Sequence, residues 1–476
     1  MKLRLSASAI AAAASGELVA GEADREIDGF SIDSRTLTAG DLFLAIRGER
    51  FDGHAFVRAA IDKGASGVVG SDRGALADLP VGVVAIAVAD TVGALQSLAR
   101  HVRRESGARV VAITGSAGKT TTKEATAAFL GRRYTVFRNR GNLNNQIGLP
   151  LSLLELRHGP DVAVVELGMN HAGEIGTLVG IAEPEVRVWT NVGPAHLEFF
   201  PSVDAIADAK AEIFEGARGD DILVANADDP LVMARVGRFA GRVVTFGQAA
   251  SADVRASDVQ DRGLDGIAAT LHASPRSAAT APRAQPGRVP LRSPLLGVAN
   301  LSNVLAAAAV ALQFDVPLSE IAAGAAALRP VPGRGEVRRL PGGVTLIDDS
   351  YNSNPTALEA ALRTLGESGR GRRRVAVIGE MLELGEASAA LHARCGRVAA
   401  GVVGGLVTVG GDSARALGRA AVAAGLPDSA VTHAATSAEA ADLAARMVLR
   451  GDVVLVKGSR GVRTDIVVQR LAAEFA

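Results

Sequence analysis

Short uninterrupted apolar runs recur along this chain, and the stretches between them carry apolar residues at helical spacing. Candidate strands lie at 41–46 and 67–70, then at 109–113, 162–167, 186–190, 222–225 and 243–246, and last at 344–348, 375–378, 406–409 and 453–456. A strand that is apolar on both sides is one covered on both faces, which marks a parallel sheet between helix layers. Ahead of the 109–113 run, Leu95, Leu98, Ala99 and Val102 repeat as one face of a helix. The pattern predicts an α/β protein in which strands alternate with helices.

The runs fall into three blocks. A small α/β domain is expected over 1–88, a central parallel-sheet domain over 89–328 and a doubly wound, Rossmann-like domain over 329–476. The second boundary falls at Arg329-Pro-Val-Pro-Gly333, a linker by its prolines. Between 249 and 294 the texture changes to Ala, Ser, Arg, Pro and Gly. There 273–288 reads as a mobile loop between two strands, and the neighbouring Arg262, Arg276, Arg283, Arg288 and Arg292 are more simply a solvated surface than a binding patch. The alanine-rich start, Met1 to Ala14, imitates a short signal peptide, but its apolar region is weak. We read it as a first strand and a small helix.

Composition narrows the classes. A chain of 476 residues with 48% apolar content can build two or three cores. Lysine plus arginine equals aspartate plus glutamate at 51 each, and aromatics are only 3%. That balance gives no electrostatic reason to expect nucleic acid or an anionic membrane as partner, and stacking platforms are scarce. No apolar run approaches the ~20 residues that span a bilayer. The single cysteine, Cys395, excludes an internal disulfide framework and a cysteine-rich zinc site. It sits in a helix-like stretch and reads as packing. A reducing, cytoplasmic setting follows.

Chemistry concentrates after the 109–113 strand. Thr114-Gly-Ser-Ala-Gly-Lys-Thr-Thr-Thr122 leads into a helix expected over 123–130. In that order of strand, loop and helix, the N–H groups of Gly115, Ser116, Ala117, Gly118, Lys119, Thr120 and Thr121 can cradle phosphate. Lys119 would neutralise the β- and γ-phosphates of ATP, and the Thr120 hydroxyl would ligate Mg²⁺. The general P-loop pattern has glycine five positions before Gly118, where this chain has Ile113, so an ordinary nucleotide switch or kinase fits less well. Glu166 ends the 162–166 run and His196 follows the 186–190 run, which puts both at the ligand edge of a parallel sheet.

Taken together, the loop, Glu166, Ala195-His-Leu-Glu198 and Asp348-Asp-Ser-Tyr-Asn352 resemble the Mur ligases of bacterial cell-wall synthesis, over nearly the whole chain. The segments Gly141 to Pro150, Glu166 to Glu174, Asp349 to Pro355, Gly379 to Gly385 and Leu455 to Arg460 are similar to those of the member that adds D-alanyl-D-alanine. The Asp-Asn-Pro-Arg tetrapeptide of the member that adds the third amino acid is absent.

The resemblance implies roles. Ser34 and Arg35 would contact uridine, the alternative being a strand end with a salt bridge. Lys210 would be carbamylated and, with Thr120, Glu166 and His196, would hold Mg²⁺, two ions in all; the alternative is an exposed helix lysine. Asn300 and Asn303 would lie on the adenine side, although Ala299 stands where many members have histidine. Arg334 would reach ATP phosphate and Asp349 would touch the nucleotide from the third domain. Asn142, Asn145, Tyr351, Asn352 and Asn354 would contact substrate. Lys119, His196 and Lys210 would be the catalytic set.

The implied reaction joins D-alanyl-D-alanine to UDP-N-acetylmuramoyl-tripeptide through an acyl phosphate at the expense of ATP, in a monomer. Another amide ligase of the superfamily, such as a folylpolyglutamate or cyanophycin-type synthetase, is the near alternative. A nucleotide-dependent switch is the distant one. The third residue of the tripeptide, diaminopimelate or lysine, stays open.

Overall fold

A computed structural model describes residues 2–48, 51–141, 143–277, 287–368 and 371–476. Three α/β domains follow one another, each built on its own sheet. The first sheet contains β1 (Glu17–Ala20), β2 (Gly29–Ser31), β3 (Asp41–Leu44), β4 (Gly67–Gly70) and β5 (Val84–Ala87) in the order β1-β5-β4-β3-β2. Strands β2 to β5 run parallel and β1 joins β5 antiparallel. The short β1 has only Leu18-Val-Ala20 as an apolar run and does not announce itself in the sequence, whereas β5 lies in the apolar run 83–89 and was overlooked. The expected first strand reduces to one bridge, Ser6 with Glu26, ahead of the helix Ala7–Ala13.

Nine strands form the central sheet: β6 (Arg109–Thr114), β7 (Val136–Arg138), β8 (Val162–Glu166), β9 (Val186–Trp189), β10 (Ile222–Asn226), β11 (Arg242–Gly247), β12 (Val254–Asp261), β13 (Ile267–Ala273) and β14 (Gly287–Ser293). β7 pairs with β8, β10 with β11 and β11 with β12 in parallel, while β12, β13 and β14 form an antiparallel run. The buried runs β6, β8 and β10 are the apolar ones predicted. In β13 buried and half-buried positions alternate, and β12 grows more exposed along its length, because one face of that antiparallel flap is less covered. The loop expected at 273–288 does lie between two paired strands, β13 and β14; residues 278–286, with Arg283, fall outside the described residues.

The third sheet contains β15 (Glu336–Arg339), β16 (Thr345–Asp349), β17 (Arg374–Gly379), β18 (Gly405–Val409), β19 (Val431–Ala434) and β20 (Val453–Lys457), ordered β15-β16-β20-β17-β18-β19. Only β15 is antiparallel. Its two apolar faces pack separate cores, one around Leu358, Leu362 and Leu406, the other around Val377, Val407 and Val456. Cys395 is buried in the first of these, on the helix Ser388–Ala400, and burial raises its thiol to about 12. It packs and does not react. Among the described residues no helix is long and apolar enough to cross a membrane.

Candidate active site

The glycine loop leaves β6 and enters the helix Lys119–Leu130, four residues earlier than expected. Threonines 120–122 weaken helix propensity, yet Gly118 at φ +84° turns the chain into the helix at once and sits as its N-cap without a side-chain cap. The first-turn N–H groups therefore have no acceptor within the helix, the arrangement that favours an anion at a helix N-terminus. Gly115 holds φ +148°, and a Cβ there would meet Thr190 Oγ1 at 1.9 Å; one on Gly118 would meet Asn303 Oδ1 at 2.2 Å. Both glycines are required by close approach as well as by backbone angle.

Residues after β9 brace the loop. Asn191 Oδ1 accepts from Ala117 N–H at 2.9 Å, and Asn191 Nδ2 donates to the Ala117 carbonyl at 3.1 Å. Thr190 Oγ1 donates to the same carbonyl at 2.7 Å. Ser116 Oγ accepts from Gly193 N–H at 2.9 Å. Asp229 Oδ2 accepts from Val192 N–H at 2.7 Å, so the bracing segment is itself held. The sequence reading missed Thr190, Asn191 and Asp229. Their only signal was position, at the carboxyl ends of β9 and β10. Lys119 Nζ donates to the Gly115 carbonyl at 2.6 Å, across the mouth of the loop.

The two asparagines expected on the adenine side part company. Asn303 is buried beneath the loop, accepting from Thr122 Oγ1 at 3.3 Å and donating to Asn300 Oδ1 at 3.0 Å. Asn300 instead lines a cleft with Thr121, Glu124, Leu295, Val331 and Arg334. The helix Val298–Leu312 puts its buried side under the loop and its first turn at the cleft. The Arg334 guanidinium lies 4.2 Å from the centroid of the Tyr351 ring, and Arg460 lies 5.7 Å from it.

From the third domain Asn354 Nδ2 donates to the Ser116 carbonyl at 3.4 Å, while its Oδ1 caps the helix Pro355–Glu367 through Ala357 N–H. Its amide thus ties the helix cap to the loop, and one N–H of the amide nitrogen is left over for the substrate contact expected of it. Asp349 ends β16 opposite Lys457 at the end of β20. Lys457 Nζ, almost wholly buried, donates to Asp349 Oδ2 at 2.7 Å and to the Asn352 carbonyl at 2.9 Å.

His196 has φ +62°, and Glu383 opposite it has φ +63°. Left-handed backbone at such residues costs ~1–3 kcal/mol each and persists only where surroundings impose it. His196 Nδ1 lies 2.6 Å from Glu383 Oε2, and the Glu383 carbonyl accepts from Glu198 N–H at 3.2 Å. The hydrogen bond from His196 holds the Glu383 carboxyl below its usual range, outweighing the burial that pushes it up.

Lys210 ends the helix Val203–Ala211 and is only 1% exposed, which removes the exposed-lysine alternative. In the first part of the central domain, Glu166 is also buried. Asn144 Nδ2 donates to its Oε1 at 2.8 Å, and Asn139 Oδ1 accepts from its N–H at 3.2 Å. Asn144 and Asn139 were not anticipated. Asn145 is exposed, and its Oδ1 accepts from Gly148 N–H at 2.8 Å at the start of the helix Gly148–Leu153; Asn142 lies outside the described residues. In the first domain Asp33 forms a two-pronged pair with Arg35, at 2.9 and 2.8 Å, which lowers the Asp33 carboxyl to about 2. The strand-end salt bridge is thus present, and it leaves Arg35 86% exposed.

Magnesium is tested by its donors. Thr120 and Glu166 offer hard oxygen atoms suited to it, and a buried Lys210 converted to a carbamate would add another. Among the described residues no three His, Cys, Asp or Glu side chains cluster closely enough to hold a metal.

A glycine loop at a helix N-terminus, braced by the next strand's end and touched by a doubly wound domain, defines a nucleotide-dependent enzyme. Comparison with known proteins makes the class specific. Residues 26–103 match the Mur ligase family catalytic domain, 113–311 the Mur ligase middle domain and 333–460 the Mur ligase glutamate ligase domain. The chain belongs to the Mur ligase family. Within it the likeness is to one branch. The UDP-N-acetylmuramoyl-tripeptide–D-alanyl-D-alanine ligase of Escherichia coli is 36% identical over 94% of both chains. A crystal structure of MurF from Acinetobacter baumannii superposes with a TM-score of 0.86 at 31% identity, over 99% of this chain and 100% of that one. MurF ligase from Thermotoga maritima in complex with ADP gives 0.78 at 30% identity, over 94% and 97%.

Proposed function

We propose that this enzyme joins D-alanyl-D-alanine to UDP-N-acetylmuramoyl-tripeptide, converting ATP to ADP and phosphate. The observation that carries the reading is the full-length similarity to ligases of that name, over 94% of both chains. The braced glycine loop supports it by supplying the ATP side.

A carboxylate and an amine form no amide spontaneously in water, so a leaving group must be made. A terminal carboxylate oxygen of the tripeptide attacks the γ-phosphorus and ADP departs, leaving an acyl phosphate. The amine nitrogen of D-alanyl-D-alanine then attacks the acyl carbon. The tetrahedral intermediate loses a proton from nitrogen and expels phosphate, and the amide remains.

Protein catalysis here is positioning and charge neutralisation. The loop N–H groups from Gly115 to Thr121 hold the phosphates, and Lys119 moves from the Gly115 carbonyl to the β- and γ-oxygens. Asn300 and Arg334 take the nucleotide in the cleft they line. Thr120, Glu166, His196 and a carbamylated Lys210 would hold two Mg²⁺ ions, which when bound offset the charge of the reacting anions. A buried lysine ammonium would repel those ions, whereas its carbamate attracts them. Ser34 and Arg35 take the uridine end in a domain spanning 1–88. Tyr351, Asn352 and Asp349 act from the third domain, 329–476. Asn142 and Asn145 would contact substrate.

Incubation with ATP, Mg²⁺ and both substrates should release phosphate and yield the UDP-muramoyl-pentapeptide by mass spectrometry. Phosphate release that is indifferent to either substrate would sink the assignment.

A further inference from the structure

The contact between Glu383 and His196 has no part in the chemistry above, yet both residues hold an unusual backbone to make it. Two facing residues both hold left-handed backbone. One hydrogen bond joins them, His196 Nδ1 to Glu383 Oε2 at 2.6 Å, and a second ties the Glu383 carbonyl to Glu198 N–H, two residues on, at 3.2 Å. Gly385, at φ +53°, lets the chain pass against Glu198, where an added Cβ would lie 3.2 Å from Glu198 Cα. The loop after β17 is shaped to bring one carboxylate to one imidazole.

An ionised carboxylate can only accept hydrogen bonds. A close contact to Nδ1 therefore requires the proton on Nδ1, which leaves Nε2 with its lone pair exposed in the neutral ring. We propose that Glu383 is a positioning residue that fixes the tautomer and direction of His196, presenting Nε2 to a divalent cation. A carboxylate behind a ligating imidazole is a common arrangement at metal sites. Here the carboxylate comes from the third domain and the imidazole from the central one. His196 is thus correctly oriented only while the third domain is docked. This rests on His196 acting as a magnesium ligand, as proposed above.

The test uses the whole protein labelled with ¹⁵N-histidine, and its magnesium dependence. The chain has eight histidines, so the His196 signal can be identified by its loss in His196→Asn. At alkaline pH the wild type should show His196 protonated on Nδ1. Glu383→Ala should move the proton to Nε2 and raise the Mg²⁺ concentration for half-maximal rate about tenfold. Glu383→Gln keeps an acceptor oxygen and should restore both. An unchanged tautomer in Glu383→Ala, with thermal unfolding showing an intact fold, would overturn the proposal. A changed tautomer with unchanged Mg²⁺ dependence would keep the positioning role and remove His196 from the metal.

Discussion

The glycine loop of the central domain and the Asp33-Ser34-Arg35 turn of the first domain are both read as sites for a nucleotide, yet they are built in opposite ways. The loop is held before any ligand arrives: Thr190, Asn191, Ser116 and Asn354 all hydrogen bond to or within it, and Asn303 packs beneath Gly118. The turn ends in an arginine whose side chain is 86% exposed and pairs with Asp33 two residues away, while its carbonyl accepts from Lys63 Nζ. A preorganised cradle lowers the ordering cost of binding and aims its dipoles where charge develops. An exposed guanidinium adds charge-assisted contact but loses side-chain freedom when it engages. The first arrangement suits reacting phosphates, the second suits a handle remote from the chemistry.

Substitution in the loop should therefore be the most damaging. Lys119→Ala should lower kcat about 10³-fold with an unchanged melting temperature. Gly115→Ala should do at least as much and also destabilise, because its Cβ meets Thr190 Oγ1 at 1.9 Å. Steady-state rates with calorimetry separate the two, and a mild Gly115→Ala would show that the cradle is not rigid.

Asn191→Ala tests the bracing. It removes the acceptor of the Ala117 N–H and leaves the Ala117 carbonyl to Thr190 Oγ1 alone, a loss of about 1–3 kcal/mol. The expected result is an ATP dissociation constant about tenfold weaker, read by titration calorimetry. Unaltered affinity would show that the loop holds its shape alone.

Arg35→Ala should have the smallest effect and a different kind. KM for the UDP-linked substrate should rise several-fold, with kcat, ATP affinity and melting temperature unchanged. The pH sign follows from Asp33, lowered to about 2 by Arg35. The pair is intact above the ordinary carboxylate range and is lost only as pH falls toward 2. Because the pair is exposed, little stability goes with it. Within the working range KM should show no step due to Asp33. Such a step would mean that the turn is more enclosed than the free protein shows.

Much of this was legible along the chain. Buried strands such as β8 and β10 are apolar without interruption, and the loop motif is local, since strand, glycines, lysine and helix follow one another. The short edge strands β15 and β19 were not legible, because one exposed side removes the apolar signal. Asn144 and Asn191 were also missed. Nothing in their neighbours marks a polar residue that reaches a carboxylate or a peptide brought close by topology.

Local order thus settled the α/β class, the phosphate cradle and the family resemblance, because each depends on residues adjacent in sequence. Tertiary structure decided the remainder. It buried Lys210, turned Asn303 under the loop while leaving Asn300 at the cleft, committed Asn354 to a helix cap and set Glu383 against His196. Those outcomes depend on which chain segments the sheets bring together, and hydrogen bonding and burial act through space, not along the backbone.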